Sequence, residues 1–340
     1  MGWPFDFVEH PNFYVFILYA QTIFSTFILF TGIIFVFYIL PASTSRLYKQ
    51  LLLFHMIINY FSQVCISSGS VVITILPMCG GYTLGFFNAL GLGTCVQLAM
   101  SVEFSSMAAL STIYLFFYRH QVLVPIGKLS ARIFLGIITV AYVACPGLLF
   151  YYECNGINQI SEKVKFFDQY HLNYPRFWEP QTIVFPNSVQ SGVFWAMSFM
   201  ALLLIFMIIA IFYFVCRLHF FLCSKTLSSR TLRMHRTLTR TLIYQTLVNY
   251  ILVFLPTTGI IASCSFGLPV PGFSNLCYVI YSFSDACGIL AMIASHSSYR
   301  QRFYKLLSKN YNPETSWTTM LLGSIYVQLR ASGTGHSTSI

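Results

Sequence analysis

Charge is what this sequence has least of. Only 8% of its 340 residues are Asp, Glu, Lys or Arg, against about 25% in an average soluble domain. So few charges cannot cover a water-facing surface, which excludes a soluble enzyme and a nucleic-acid binder. Disorder is excluded by the opposite excess: 56% of the residues are hydrophobic and 18% aromatic, far more than an unfolded chain carries. The ten Cys form no C-x-x-C pair, and the eight His show no H-x-x-H or H-x-x-x-H spacing, so no metal site and no cofactor are expected. G-x-S-x-G, His boxes and adjacent aspartates are missing too, which argues against an intramembrane enzyme. There is no N-x-S/T sequon and no internal repeat of the kind that builds an inverted-repeat transporter. The opening MGWPFDFVEH has acids but no Lys or Arg, unlike the basic start of a signal peptide. Asp6 stands where a myristoylation pattern needs Ser or Thr.

What the sequence has is long apolar runs. A helix crossing roughly 30 Å of hydrocarbon needs about 20 mostly apolar residues. Seven such stretches occur, at about 13–40, 50–76, 87–118, 132–152, 190–216, 241–263 and 273–296. They are continuous, not alternating in segments of ~10 residues, so they read as helices and not as barrel strands. The expected fold is all-α: a polytopic membrane protein with a seven-helix bundle over 1–297 and a tail over 298–340.

Seven crossings put the two termini on opposite sides. With the N-terminus outside, 16 of the 19 Lys and Arg fall on the inner side, leaving Lys163, Lys165 and Arg176 outside. The positive-inside rule therefore predicts N-out, C-in. The net charge of +10 is a topology signal matched to anionic membrane lipid. The longest outer segment, about 153–189, carries Pro175, Pro180, Pro186 and Trp178 and reads as an ordered lid.

Cys154 lies just past span 4 on the expected oxidising side. Two partners are open to it, Cys95 near the outer end of span 3 and Cys79 in the turn after span 2. Cys95 precedes Arg119 by ~36 Å of helix, which favours Cys95–Cys154. Cys264 and Cys277 flank the turn between spans 6 and 7 and form a second candidate pair.

Two acids fall inside spans, Glu103 and Asp285, with no Lys or Arg mid-membrane to neutralise them. An intramembrane carboxylate must face a cavity or a partner, or hold its proton. One reading places both in a ligand cavity; the other has each hydrogen-bonded to nearby Ser. Gln97 and Ser282 join Glu103 and Asp285 as the candidate ligand contacts. His55, Asn59 and Gln63 recur every four residues on one face of span 2 and read first as interhelical hydrogen bonds. On the inner side, Arg217 to Arg240 holds six basic residues and no acid, a docking surface for an acidic cytosolic partner as well as topogenic charge. The segment 298–310 has Phe303, Leu306 and Leu307 on one face, as in a short interfacial helix. Thr338-Ser339-Ile340 fits a loose C-terminal peptide motif.

Five stretches together carry a family resemblance. They are LYKQLLLFH (47–55), LPMCGGYTLGFFNALGLGTCVQ (76–97), FFYRHQ (116–121), TLRMHRTLTRTLIYQ (231–245) with Pro256, and ILAMIASHSSYRQRF (289–303). Over nearly its whole length the chain resembles the nematode serpentine chemoreceptors, G-protein-coupled receptors of the group containing classes H and I. The Arg119-His120-Gln121 element leans towards class I. Ser298 replaces the proline common in the family ending. Tyr118-Arg119-His120 stands where rhodopsin-type receptors have Asp-Arg-Tyr, so no neighbouring acid can lock Arg119.

The resemblance implies an orphan chemosensory receptor that takes a small, odorant-like molecule from outside and signals to a cytosolic heterotrimeric G protein. The expected coupling residues are Arg119, His120, Arg230, Arg233, Arg236 and Arg300, and the expected location is the plasma membrane of a sensory-neuron cilium. The rival class is a ligand-gated channel or transporter, which would need a continuous polar path. A retinal-binding opsin is disfavoured because span 7 has no Lys for a Schiff base.

Overall fold

The computed structural model describes residues 11–39, 45–75, 80–123, 127–144, 146–170, 176–185, 192–224, 239, 243–248, 250–260 and 272–295. Among these, seven helices are long and apolar enough to cross a membrane: Pro11–Phe37, Arg46–Ser70, Thr94–Val122, Leu129–Tyr152, Ala201–Leu218, Ile243–Ile260 and Phe273–Ala294. They are spans 1 to 7 below. The interfacial helix expected at 298–310 and the rest of the tail lie outside the described residues.

Span 1 shows why these helices belong in lipid. Its exposed stripe is apolar, with Phe16, Ile23, Phe27 and Phe30 all more than 60% exposed. Its buried stripe includes Gln21 and Ser25 beside Tyr14, Leu18 and Ile28. Apolar side chains outside and polar ones inside is the reverse of a water-soluble helix. The buried polar groups then tie helices together. Gln63 Nε2 donates to Gln21 Oε1 at 2.8 Å, and Gln21 Nε2 donates to the Ser282 carbonyl at 2.5 Å, linking spans 1, 2 and 7. His55 Nδ1 meets Ser111 Oγ at 2.8 Å, linking spans 2 and 3, which pack closely along their length. His55 and Gln63 thus make the interhelical bonds expected of them. Asn59 instead donates to the His55 carbonyl of its own helix at 2.7 Å.

The structure departs from the sequence expectation at one end of the bundle. Span 2 does not continue as a helix to residue 76. It ends in a π-helical turn, Cys65–Ser70, and Val71 takes the left-handed conformation at φ 46°. Val72–Thr74 is then strand β1, which pairs antiparallel with β2, Gly80–Thr83. β2 pairs in turn with β3, Ile183–Val184, from the segment between spans 4 and 5. Span 3 does not begin at 87: a single turn at Phe86–Ala89 is followed by Gly91 at φ 78°, and the long helix starts at Thr94.

The three-stranded sheet depends on close backbone approach. A Cβ on Gly81 would lie 1.9 Å from the Ile73 carbonyl oxygen, so only glycine fits there. The edge of β1 is closed by span 7, where Asn275 Oδ1 accepts from Thr74 N–H at 3.0 Å and Asn275 Nδ2 donates to the Thr74 carbonyl at 3.3 Å. One side-chain amide therefore substitutes for a neighbouring strand and protects an otherwise open edge. Tyr14 of span 1 donates to the Val72 carbonyl at 3.0 Å. Around these bonds Tyr14, Ile73, Tyr82, Phe166 and Phe177 form an apolar core. Phe166 comes from the helix Gln159–Tyr170, whose Gln159 Oε1 accepts from Val184 N–H at 2.8 Å. The expected lid is ordered in this part, and its strand is built into the sheet.

Candidate functional site

A cavity of about 280 Å³ lies among spans 2 to 7 with the sheet as one wall. That is near the low end of the roughly 300–1,000 Å³ of pockets that hold drug-sized ligands. Spans 2 and 3 contribute a polar side: Asn59, Ser62, Gln63, Ser101, Ser105 and Thr112. Spans 4 and 5 contribute an apolar side with Tyr142, Phe150, Leu204 and Met207. Span 6 adds Tyr250, Phe254 and Thr257, span 7 adds Tyr278, Tyr281 and Ser284, and the sheet adds Thr74, Gly81 and Tyr82. Among the described residues that line it there is no Asp, Glu, Lys, Arg or His. A charged ligand would have to leave its hydration without a counter-ion, so this wall suits a neutral molecule.

At the centre of the polar side, three hydroxyls from three spans meet. Ser62 Oγ lies 3.0 Å from Ser105 Oγ and 3.1 Å from the Tyr281 hydroxyl, and Ser105 Oγ lies 3.0 Å from the Tyr281 hydroxyl.

The four residues expected as ligand contacts do not line this cavity. Glu103 turns towards span 4, where its Oε2 accepts from Gly147 N–H at 3.0 Å. Pro146 opens the helix Pro146–Asn155, so the Gly147 amide is one of the first-turn donors that a helix cannot satisfy itself. A carboxylate at that position also meets the positive end of the helix dipole. A Cβ on Gly147 would come within 2.8 Å of Glu103 Oε2 and 3.1 Å of the Ala99 carbonyl oxygen, so a side chain there would push Glu103 off its contact.

Asp285 is 3% exposed and sits in the first turn of Ser284–Ser295, after the break in span 7 at Phe283. Its Oδ2 has no hydrogen-bond partner among the described residues. Gln97 Nε2 donates to the Leu92 carbonyl at 2.6 Å, and Ser282 Oγ donates to the Val279 carbonyl at 2.7 Å. Each residue lies beside a lining residue of its own helix and is not itself on the cavity wall. One residue along a helix turns about 100°, and Tyr281 and Ser284, beside Ser282 and Asp285, are the ones that reach the wall. The sequence signal for this wall is the pair Ser101 and Ser105, one turn apart on span 3. Tyr281 gives no such signal, because one tyrosine among 22 does not stand out.

Cys95 and Cys154 are brought together. Their thiols interact, and Cys95 packs on the small cluster of Ala99, Phe150 and Cys154. Both are free thiols in the structure, as is Cys277; Cys79 and Cys264 lie outside the described residues. In the segment between spans 4 and 5, the buried Lys163 donates Nζ to the Glu179 carbonyl at 2.7 Å. Burial holds its ammonium below the ordinary lysine range, while Glu179 opposes the shift. Burial also raises the Tyr82 phenol, against the pull of Arg176, whose guanidinium is 5.8 Å from the ring.

At the other end of span 3, Arg119 is 6% exposed, with its guanidinium 3.6 Å above the Tyr48 ring. Its Nε and Nη2 have no hydrogen-bond partner among the described residues. His120 is buried between Tyr213 and Phe214, with ring centroids at 6.4 and 5.4 Å. Arg230, Arg233, Arg236 and Arg300 lie outside the described residues. No group of three His, Cys, Asp or Glu among the described residues is placed to hold a metal ion.

Comparison with protein families matches residues 9–309 to the family described as serpentine type 7TM GPCR chemoreceptor Srh. Of the two classes the motifs pointed to, the match is to Srh, class H; the three-residue Arg119-His120-Gln121 element is too short to carry the lean towards class I. No curated protein matches the chain. The matched region takes in all seven spans, and the chain is a multi-pass membrane protein that belongs to the Srh family of serpentine chemoreceptors.

Proposed function

We propose that the protein is a chemosensory G-protein-coupled receptor whose ligand enters the cavity among spans 2 to 7 from outside the cell. The supporting observation is the separation of two features along span 3. The cavity is lined along span 3 from Thr94 to Thr112, and Arg119 sits beyond that stretch, towards the other end. The excess of basic residues in the turns at the Arg119 end supports a cytosolic position for that end. A ligand with different affinity for two packings of spans 2, 3 and 7 shifts their populations. The shift frees Arg119 and His120, and the basic segment holding Arg230, Arg233 and Arg236 engages an acidic surface of a G-protein α subunit, to which Arg300 adds a further positive charge. The protein acts as a receptor and not as an enzyme. By its family it works at the plasma membrane of a nematode sensory neuron, in the cilium.

Heterologous expression with a panel of small neutral odorants, read by cAMP, cGMP and calcium, tests this reading. A response lost in Arg119→Ala at equal surface expression supports it. A response that persists in Arg119→Ala and in cells lacking the coupled G protein contradicts it.

A further inference from the structure

The hydroxyl cluster of Ser62, Ser105 and Tyr281 can be counted hydrogen by hydrogen. Each hydroxyl has one hydrogen and two acceptor lone pairs. The Ser105 hydroxyl lies 2.7 Å from the Ser101 carbonyl and donates to it. Two hydrogens then remain for three mutual contacts. If Ser105 donates within the triangle instead, all three hydrogens are spent there. When every hydrogen serves one of these contacts, none points into the cavity, and unfilled lone pairs remain.

Gln63, on the next position of span 2, carries the same sign. Its amide orientation is fixed from outside, because the Ser282 carbonyl can only accept. Gln21 must therefore present Nε2 to Ser282 and Oε1 to Gln63 Nε2. That leaves Gln63 Oε1, on a side chain 1% exposed and lining the cavity, as an acceptor with no partner among the described residues. A buried acceptor left unsatisfied is costly; Gln63 Oε1 is itself enclosed, and it adds to the acceptor excess behind the hydroxyl cluster.

We propose that the ligand is a small, uncharged, mainly apolar molecule carrying a hydrogen-bond donor, an alcohol or a neutral N–H compound, which donates to the Ser62–Ser105–Tyr281 cluster. The proposal rests on the receptor reading for the cavity's role, and it narrows the ligand class within it. A carbonyl-only molecule of the same size meets lone pairs with lone pairs. A carboxylate or ammonium meets a wall with no counter-ion.

Binding to the purified full-length receptor in nanodiscs, without G protein, tests the donor rule separately from signalling. The probes are 2-phenylethanol, phenylacetaldehyde, phenylacetate and 2-phenylethylammonium, read as titrated shifts in Tm. The alcohol is expected to bind about ten-fold more tightly than the aldehyde, with the two ions weaker still. Ser105→Ala supplies an independent reading. It leaves two hydrogens for the single Ser62–Tyr281 contact, which frees one donor, so the aldehyde gains on the alcohol and the ratio falls towards one. A merely structural role for Ser105 would weaken both probes alike and leave the ratio unchanged. Aldehyde binding as tight as alcohol binding in the unsubstituted receptor, preference for either ion, or binding of none of the four overturns the donor rule. None of those results bears on whether the protein couples to a G protein, which the Arg119→Ala signalling comparison decides.

Discussion

The Arg119 guanidinium lies 3.6 Å above the centroid of the Tyr48 ring, and that ring stacks on Tyr118 at 6.1 Å. A cation over an aromatic face is held by the ring quadrupole, with a strength of about 0.5–2 kcal/mol that grows as water is excluded. In this chain the residue before Arg119 is a tyrosine and not an acid. Tyr48, from the first turns of span 2, therefore restrains the arginine that an acid would restrain in a rhodopsin-type receptor.

Removing that restraint should show in basal activity. Tyr48→Leu is expected to raise ligand-independent signalling by about two- to thirty-fold, the range that corresponds to 0.5–2 kcal/mol, while Tyr48→Phe keeps the ring and stays near the starting level. Second-messenger assays at matched surface expression check this, and equal basal activity in all three proteins contradicts it.

The Cys95–Cys154 contact predicts a disulfide once the protein matures in an oxidising compartment. Digestion under non-reducing conditions followed by mass spectrometry should recover the two cysteines in one linked peptide. Cys154→Ser is then expected to cost about 2–4 kcal/mol, measured as a lower Tm of the purified receptor, with Cys95→Ser costing the same and the double variant adding little.

Glu103 acts as a cap for the helix opened by Pro146, and a side chain on its partner Gly147 would crowd it. Gly147→Ala should destabilise by about 1–3 kcal/mol, because the new methyl is forced against Glu103 and the backbone of span 3. Glu103→Gln, which keeps an acceptor, should be milder than Glu103→Leu, which leaves the Gly147 amide without a partner. Thermal denaturation of the three variants gives the order directly.

Lys163 gives the segment between spans 4 and 5 a signed pH dependence. Burial lowers its value in the folded protein from the ordinary 10.5. Between that lowered value and 10.5, the unfolded chain binds more protons than the folded one, so folded stability rises with pH across this window. The slope of Tm against pH from 8.5 to about 10.5 should be more positive in the natural protein than in Lys163→Met. Equal slopes contradict the assignment.

The bundle was legible because hydropathy acts locally. An unbroken run such as Met197 to Cys216 has few alternatives to crossing a bilayer. The sheet was not legible, because it depends on pairing between distant segments. Val72–Thr74 is apolar and β-branched, and in hydropathy it simply extends span 2. Only the left-handed turn at Val71 and the strand partners at Gly80–Thr83 and Ile183–Val184 make it a strand. The cavity was half legible. Glu103 and Asp285 draw attention to positions beside its wall, because intramembrane acids are rare, but side-chain direction on a helix is set by packing. The partner of Glu103 is a backbone amide exposed by a proline 43 residues on, which no reading of span 3 alone contains. Ser62 and Tyr281 carry no charge and stood out from nothing around them.

If a ligand enters from outside and Arg119 signals inward, the N-terminus and the C-terminus lie on opposite sides of the bilayer, with the N-terminus outside. The direct measurement is antibody access to epitope tags at the two ends of the full chain, on intact and then permeabilised cells. The account predicts that the N-terminal tag is stained on intact cells and the C-terminal tag only after permeabilisation. Both tags staining together on intact cells, or the C-terminal tag staining first, would contradict it.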